Sequence, residues 1–134
     1  MIKSMNIDFR KALEFEEIKD YDSAIDCYNK FLVSNNSNSE VYVKRGDIYN
    51  HLKKYDNAIS DYSTAISLDP ENPVYYHKKG SVNEILENYV EALNDYYKAY
   101  NLCLENKKYK DLSFRYWNDC DDIHHLLVQK NKEA

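Results

Sequence analysis

The chain has 134 residues, of which 31% are charged, and a net charge of −5. This length fits one domain, and the acidic balance argues against a nucleic-acid partner, because binding to phosphates draws on clustered lysines and arginines. No segment approaches the ~20 apolar residues of a membrane span, and residues 1–8 lack the apolar run of a signal peptide. We therefore expect a soluble, cytoplasmic protein that does not interact with membranes.

A five-residue sequence motif recurs along the chain at a fixed interval. It begins at Tyr21, Tyr55 and Tyr89, so each copy starts 34 residues after the one before. A period of this length predicts a solenoid of stacked helical repeats. Five further columns keep the same spacing: Ala12, Gly46 and Gly80; Phe15, Tyr49 and Asn83; Ile18, Leu52 and Leu86; Tyr28, Tyr62 and Tyr96; and Phe31, Ala65 and Ala99.

Each repeat contains two runs in which apolar residues recur every three or four positions. This spacing predicts two amphipathic helices, which a short polar turn such as Lys53-Lys54 joins into an antiparallel hairpin. The predicted repeats cover residues 5–38, 39–72 and 73–106. The only two glycines, Gly46 and Gly80, share a small-residue column with Ala12, which predicts a close helix contact there.

Start and stop signals mark the ends of these helices. Asn72 is the predicted N-cap of the fifth helix, with Pro73 at its first helical position. Ser39 is a similar start signal for the third helix, and residues 34–38 are predicted to form the turn before it.

The tail, residues 107–130, has apolar side chains at helical spacing and predicts an amphipathic helix. We expect this helix to cap the third repeat by covering Leu93, Tyr96, Tyr97 and Tyr100. Two alternatives are that it docks in a groove of the repeats or that it pairs with a second molecule. The apolar positions of the tail are Leu112, Tyr116, Cys120, Ile123 and Leu127.

The repeat pattern resembles the tetratricopeptide repeat. The middle copy matches it best, and terminal copies are usually less regular. The resemblance implies an all-α fold, in which three helix-turn-helix repeats form a right-handed superhelix with a C-terminal capping helix. The matching residues of the middle copy are Tyr42, Gly46, Tyr49, Ala58, Tyr62, Ala65 and Pro70.

The same resemblance implies a function. In this family the first helix of each repeat lines a concave groove that binds an extended peptide or a partner helix. Carried over by position, the groove residues are Phe9, Leu13, Val43, Lys44, Asp47, His51, Val74, His77, Lys78, Ser81 and Ile85.

One subclass of the family grips the C-terminal carboxylate of a chaperone with lysines, asparagines and an arginine. The corresponding positions here are Phe9, Leu13, Lys44, Val74 and Lys78, and only Lys78 keeps the basic character expected at its place. A chaperone-binding carboxylate clamp is therefore disfavoured. Lys44 and Lys78 lie one repeat apart on the same wall, so we expect them either to hold an acidic group of a partner or to be ordinary solvated lysines.

The tail also holds the one cluster with ligand chemistry, formed by Cys120, His124 and His125. Cys120 and His124 are one helical turn apart, but a metal site normally needs three or four protein ligands. The three cysteines of the chain, an odd number without metal-type spacing, argue against a disulfide framework.

We therefore expect a non-catalytic scaffold that binds a peptide or protein, without a cofactor. One alternative is a self-assembling module whose groove is filled by its own tail or by another copy. Another is a metal-dependent activity at Cys120, His124 and His125.

Overall fold

The computed structural model describes residues 5–134, and within this range it contains helices and no strand. The all-α fold of three helix pairs with a C-terminal helix is confirmed. Residues 1–4, which form part of the argument against a signal peptide, lie outside the described range. The helices are α1 (Ile7–Glu17), α2 (Tyr21–Ser34), α3 (Ser39–His51), α4 (Tyr55–Leu68), α5 (Pro73–Ile85), α6 (Tyr89–Glu105), a 3₁₀ helix (Lys107–Leu112) and α7 (Ser113–Glu133).

Polar side chains cap the first helix of every repeat. The Asn72 side chain accepts a hydrogen bond from the Val74 amide at 3.0 Å, and Pro73 is the first residue of α5, as predicted. In the preceding repeat the cap is Asn38, which accepts from the Val41 amide at 3.2 Å. The prediction of Ser39 as the start signal is therefore one residue late, because the asparagine before it supplies the cap.

The turn inside each hairpin has the same backbone in all three repeats. Lys19, Lys53 and Glu87 have φ values of 61°, 60° and 60°, in the left-handed region. The amide after each of them closes a bond to the carbonyl five residues back, as in the Lys54-to-Tyr49 bond of 2.8 Å. These residues end the first helix and turn the chain toward the second helix of the same repeat.

The core follows the repeat columns. Tyr28, Tyr62 and Tyr96 are buried in successive repeats. Gly46 lies against the ring of Tyr62, where an added Cβ would come within 2.9 Å of a ring carbon. The close helix contact predicted from the small-residue column is therefore present.

Ile18 departs from its column. Leu52 and Leu86 are half-buried at the equivalent positions, whereas Ile18 is 71% exposed. The side chain of Leu52 packs against the cluster that includes buried residues of α2, the second helix of the preceding repeat. Among the described residues, the first repeat has no such neighbour, which explains the exposure of Ile18.

Helix α7 packs against α6 and covers the end of the third repeat. Tyr116, Cys120 and Ile123 are its buried residues. Cys120 and Ile123 pack with Tyr96, and Tyr116 packs with Ala99 and Cys103. None of the described helices is both long enough and sufficiently apolar to cross a bilayer.

Candidate functional site: the concave groove

An ion pair joins the first helices of the second and third repeats. The Lys78 ammonium of α5 lies 3.0 Å from both carboxylate oxygens of Asp47 in α3. The Tyr62 hydroxyl donates to the same carboxylate at 2.6 Å. Lys78 and Asp47 are both partly exposed, so this network lies at the surface of the predicted groove. Of the two lysines predicted there, Lys78 is thus already paired with a carboxylate.

The repeat columns explain why the pair occurs only once in the three repeats. The residues equivalent to Asp47 are Leu13 in the first repeat and Ser81 in the third. Neither is a carboxylate, so the hydroxyls of Tyr28 and Tyr96 donate instead to Glu16 and Glu84. Burial, followed by these hydrogen bonds to acidic side chains, raises the pKa of Tyr28 and Tyr96 above the usual range.

Lys44 is equivalent to Lys78 but differs in its surroundings. Lys78 pairs with Asp47 of the preceding repeat, but the residue at that position in the repeat before Lys44 is Leu13. Within residues 5–134 no carboxylate lies within 4.0 Å of the Lys44 ammonium. Lys44 lines a depression of about 220 Å³ together with Glu16, Asp47 and His51. Glu16 and Asp47 each accept a hydrogen bond from a tyrosine hydroxyl. Of the two lysines predicted on the wall, Lys44 is therefore the one without an ion pair among the described residues.

His51 and His77 were both predicted on the wall, and the structure separates them. His51 is exposed at the end of α3, with its ring 4.7 Å from that of Tyr21. The tail helix covers His77 instead: Tyr116 stacks on its ring at 4.1 Å, and its Nε2 lies 2.6 Å from Asp119. His77 therefore fixes α7 to α5.

Burial lowers the pKa of His77, although the hydrogen bond to Asp119 acts in the opposite direction. Burial therefore favours the neutral form of the ring. A neutral imidazole with a protonated Nε2 can donate to the Asp119 carboxylate.

The apolar wall residues differ in accessibility. Val43 is buried and belongs to the core cluster around Tyr62, so the structure assigns it to packing rather than to the groove surface. Phe9 is half-buried, with its ring 5.5 Å from that of Phe31. The remaining positions retain accessible surface: Leu13, Val74 and Ser81 are half-buried, and Ile85 is exposed.

The structure does not bring the three candidate metal ligands of the tail together. Cys120 is buried in the contact between α7 and α6, whereas His124 and His125 are exposed. The described part of the chain contains no group of three or more potential metal ligands. Burial raises the pKa of the Cys120 thiol to about 11, which disfavours the thiolate that a metal requires.

Sequence reasoning missed two groove contacts. Nothing in the sequence marked Asp119 as a partner of His77, because the two residues are 42 positions apart and belong to different elements. The Asp47–Lys78 pair could in principle have been predicted from the sequence period. Residues 31 positions apart in a chain with a 34-residue period lie on adjacent first helices, one turn out of register.

Comparison with known proteins supports this description. A family model described as "TPR repeat" matches residues 46–84. A search of curated proteins by sequence gives no significant match.

Three solved structures illustrate the likeness. The first tetratricopeptide domain of Spaghetti (RPAP3), bound to the HSP90 peptide SRMEEVD, is 27% identical, with 91% of each chain covered and a TM-score of 0.76. The first such domain of human RPAP3 is 26% identical, with 96% of this chain and 95% of that chain covered and a TM-score of 0.76.

The third is the Yersinia enterocolitica type III secretion chaperone SycD in complex with a peptide of the translocator YopD. It is 20% identical, with 95% of this chain and 92% of that chain covered and a TM-score of 0.79, which is evidence for the fold alone. The match over residues 46–84 and the likeness to the RPAP3 domains show that the chain has a tetratricopeptide-like fold of helical repeats.

Proposed function

We propose that the chain is a non-catalytic interaction scaffold whose concave groove binds a peptide or partner protein. Two structures with the same fold contain peptides, one from HSP90 and one from YopD. Function depends on the site rather than on the fold, so the proposal rests on the groove of this chain. A cytoplasmic location stays a prediction from the sequence.

The observation that carries the proposal is the difference between Lys44 and Lys78. Asp47 neutralises Lys78, whereas Lys44 has no ion pair within the described residues and lines a depression beside His51. A partner that places a carboxylate there would gain a charge-assisted hydrogen bond. We therefore propose a partner with an acidic side chain or C-terminus opposite Lys44, next to apolar contacts at Leu13 and Phe9.

This arrangement differs from a carboxylate clamp. The RPAP3 domain binds a peptide with three acidic residues, but only two of the five clamp positions of this chain are basic. One of those two, Lys78, is already bound to Asp47. A single lysine cannot provide the multidentate grip of a clamp, so a chaperone tail is not the proposed ligand.

Self-assembly through the groove is the second candidate. Filling of the whole groove by the chain's own tail is disfavoured. Cys120 and Ile123 of α7 pack against α6, and among the predicted wall residues α7 covers His77, through Tyr116 and Asp119. A groove filled by another copy stays a prediction.

The experiment selects peptides on the wild-type protein and measures their affinity by fluorescence polarisation. We expect selected peptides to contain an acidic residue and Lys44→Glu to weaken binding by at least about tenfold. Lys44→Gln should have an intermediate effect. The control is Lys132→Glu in the last turn of α7, which should bind like the wild type. Equal affinities for wild type and Lys44→Glu would refute the assignment.

A further inference from the structure

The two ends of the repeat stack expose apolar side chains of different kinds. At the N-terminal end Ile18 ends α1 and is 71% exposed at the corner between α1 and α2. It borders a depression of about 520 Å³ with Phe15 and Cys27 on its apolar side. Ile18 is therefore an accessible aliphatic anchor.

The corner around Ile18 is strongly acidic. Residues 14–22 contain five carboxylates and one lysine. Glu14, Glu17 and Asp22 are exposed beside the anchor. Lys11 and Lys30 also line the depression next to Ile18. A surface that receives Ile18 must consequently tolerate, and would benefit from, basic groups around an apolar centre.

The C-terminal end provides such a surface. Phe114 is 75% exposed and Trp117 is 43% exposed, and with Tyr100 and Ser113 they line a depression of about 270 Å³. Tyr100 and Trp117 contact each other, with their ring centroids 5.3 Å apart. This depression has aromatic walls and room for one branched aliphatic side chain.

The segments that supply the aromatic depression are rich in basic side chains. Residues 97–118 contain five lysines and arginines and only two carboxylates, in a chain whose net charge is −5. All five cations are exposed, and none of them forms an ion pair with another described residue. They are Lys98, Lys107, Lys108, Lys110 and Arg115.

We infer that two copies of this chain associate head to tail, with Ile18 of one molecule docked between Phe114 and Trp117 of the next. The acidic corner around Ile18 then faces the basic rim of the aromatic depression. A contact between two identical ends would instead bring like charges together, which opposes association. The interface is heterologous, so it extends into open chains unless the rotation closes a ring.

Other occupants of the basic rim would leave the acidic corner unused. An anionic lipid surface or a single-stranded nucleic acid could contact the aromatic rings and the lysines. Neither would cover Ile18, whose carboxylate neighbours repel polyanions. A second copy satisfies both ends at once, and charge complementarity therefore favours it.

The test uses one variant that blocks each end. Ile18→Glu removes the anchor, and Phe114→Glu blocks the depression; both positions are exposed, so the fold should tolerate the changes. Val33→Glu is the matched control, because Val33 is 83% exposed in the same repeat as Ile18. Sedimentation velocity over a concentration series gives the mass of each protein and of an equimolar mixture.

We expect the weight-average mass of the wild type and Val33→Glu to rise at least about twofold with concentration. This rise should diminish in about 0.5 M salt, which screens exposed charges. Each blocked variant should stay monomeric, and the mixture should form a one-to-one heterodimer that grows no further. That last result is specific to a heterologous contact.

Several results would overturn the inference. The wild type could stay monomeric throughout, or one blocked variant could associate alone, as an isologous dimer through the other end would do. The mixture could also fail to form a heterodimer. Binding of the aromatic end to anionic vesicles by a monomeric wild type would assign that surface to lipid instead. The groove variant Lys44→Glu should associate like the wild type, which separates this test from that of the proposed function.

Discussion

Lys78 and Asp47 join α5 to α3 across a repeat boundary, with the ammonium 3.0 Å from each carboxylate oxygen. Their side chains are 34% and 43% exposed, so water screens the pair. Arg45 and Asp61 join the two helices of the second repeat in a bidentate contact of 2.6 and 2.9 Å. The side chain of Asp61 is only 6% exposed. The two pairs should therefore contribute differently to stability.

We expect Arg45→Met to lower the free energy of unfolding by about 3–5 kcal/mol, because it leaves the buried Asp61 carboxylate without its partner. Lys78→Met should cost less than about 1 kcal/mol, since Asp47 remains solvated. Urea denaturation followed by circular dichroism measures both. Similar losses in the two variants would contradict this ranking.

The glycine column makes a second prediction. An alanine at Gly80 would place its Cβ 2.8 Å from two ring carbons of Tyr96 and 3.1 Å from the Asp95 Cβ. The ring is buried and its hydroxyl is bonded to Glu84, so it cannot move away. We expect the overpacking to exceed the gain of up to about 1 kcal/mol in helix propensity, so that Gly80→Ala unfolds at a lower temperature.

Ala12 at the equivalent position is the control. Ala12→Gly removes a methyl group that already fits and should cost about 1 kcal/mol through helix propensity. Both substitutions in the column should thus destabilise, although they exchange the same residues in opposite directions. A stabilised Gly80→Ala would show that Tyr96 can shift.

The second helices of the repeats differ in their caps. The Asp20 side chain accepts from the Ser23 amide at 3.2 Å, whereas Lys54, at the equivalent N-cap of α4, makes no side-chain cap. We expect Lys54→Asp to stabilise the protein by about 1 kcal/mol and Asp20→Ala to destabilise it by a similar amount. Thermal melting of both variants provides the measurement. An unchanged melting temperature in Lys54→Asp would show that the missing N-cap does not limit the stability of α4.

His77 makes stability depend on pH. Because burial lowers its pKa in the folded state, the unfolded chain binds more protons below the ordinary histidine pKa of about 6.5, and stability falls as the pH decreases through that region. Asp119, Arg115 and Lys78 are the charged groups that act on it. His77→Gln retains a donor for Asp119 but does not titrate.

Melting temperatures at about pH 7.5 and pH 5.5 test this dependence on the protonation of His77. The wild type should lose more stability than His77→Gln on acidification. Equal losses would assign the acid sensitivity to other groups.

The period of the sequence was sufficient to predict the helix pairs and the buried tyrosine column. It could not predict the exposure of Ile18, because equivalence between repeats assumes a neighbour on both sides. The wall residues show a related limit. Val43 and Lys78 were placed on the groove by position, but the first is buried and the second is neutralised by Asp47. The Asp47–Lys78 pair depends on residues that differ between the repeats. The period of the sequence predicts only the features that all three repeats share.

The buried tyrosines give each repeat its own optical probe. Tyr28, Tyr62 and Tyr96 have pKa values raised by burial and by hydrogen bonds to acidic side chains, so they stay protonated where exposed tyrosines, with an ordinary pKa of about 10, ionise. In an alkaline titration these three phenols can ionise, and their absorbance can change, only after the surrounding helices open. The number of steps in that late change would distinguish repeats that open one at a time from a stack that opens as a unit.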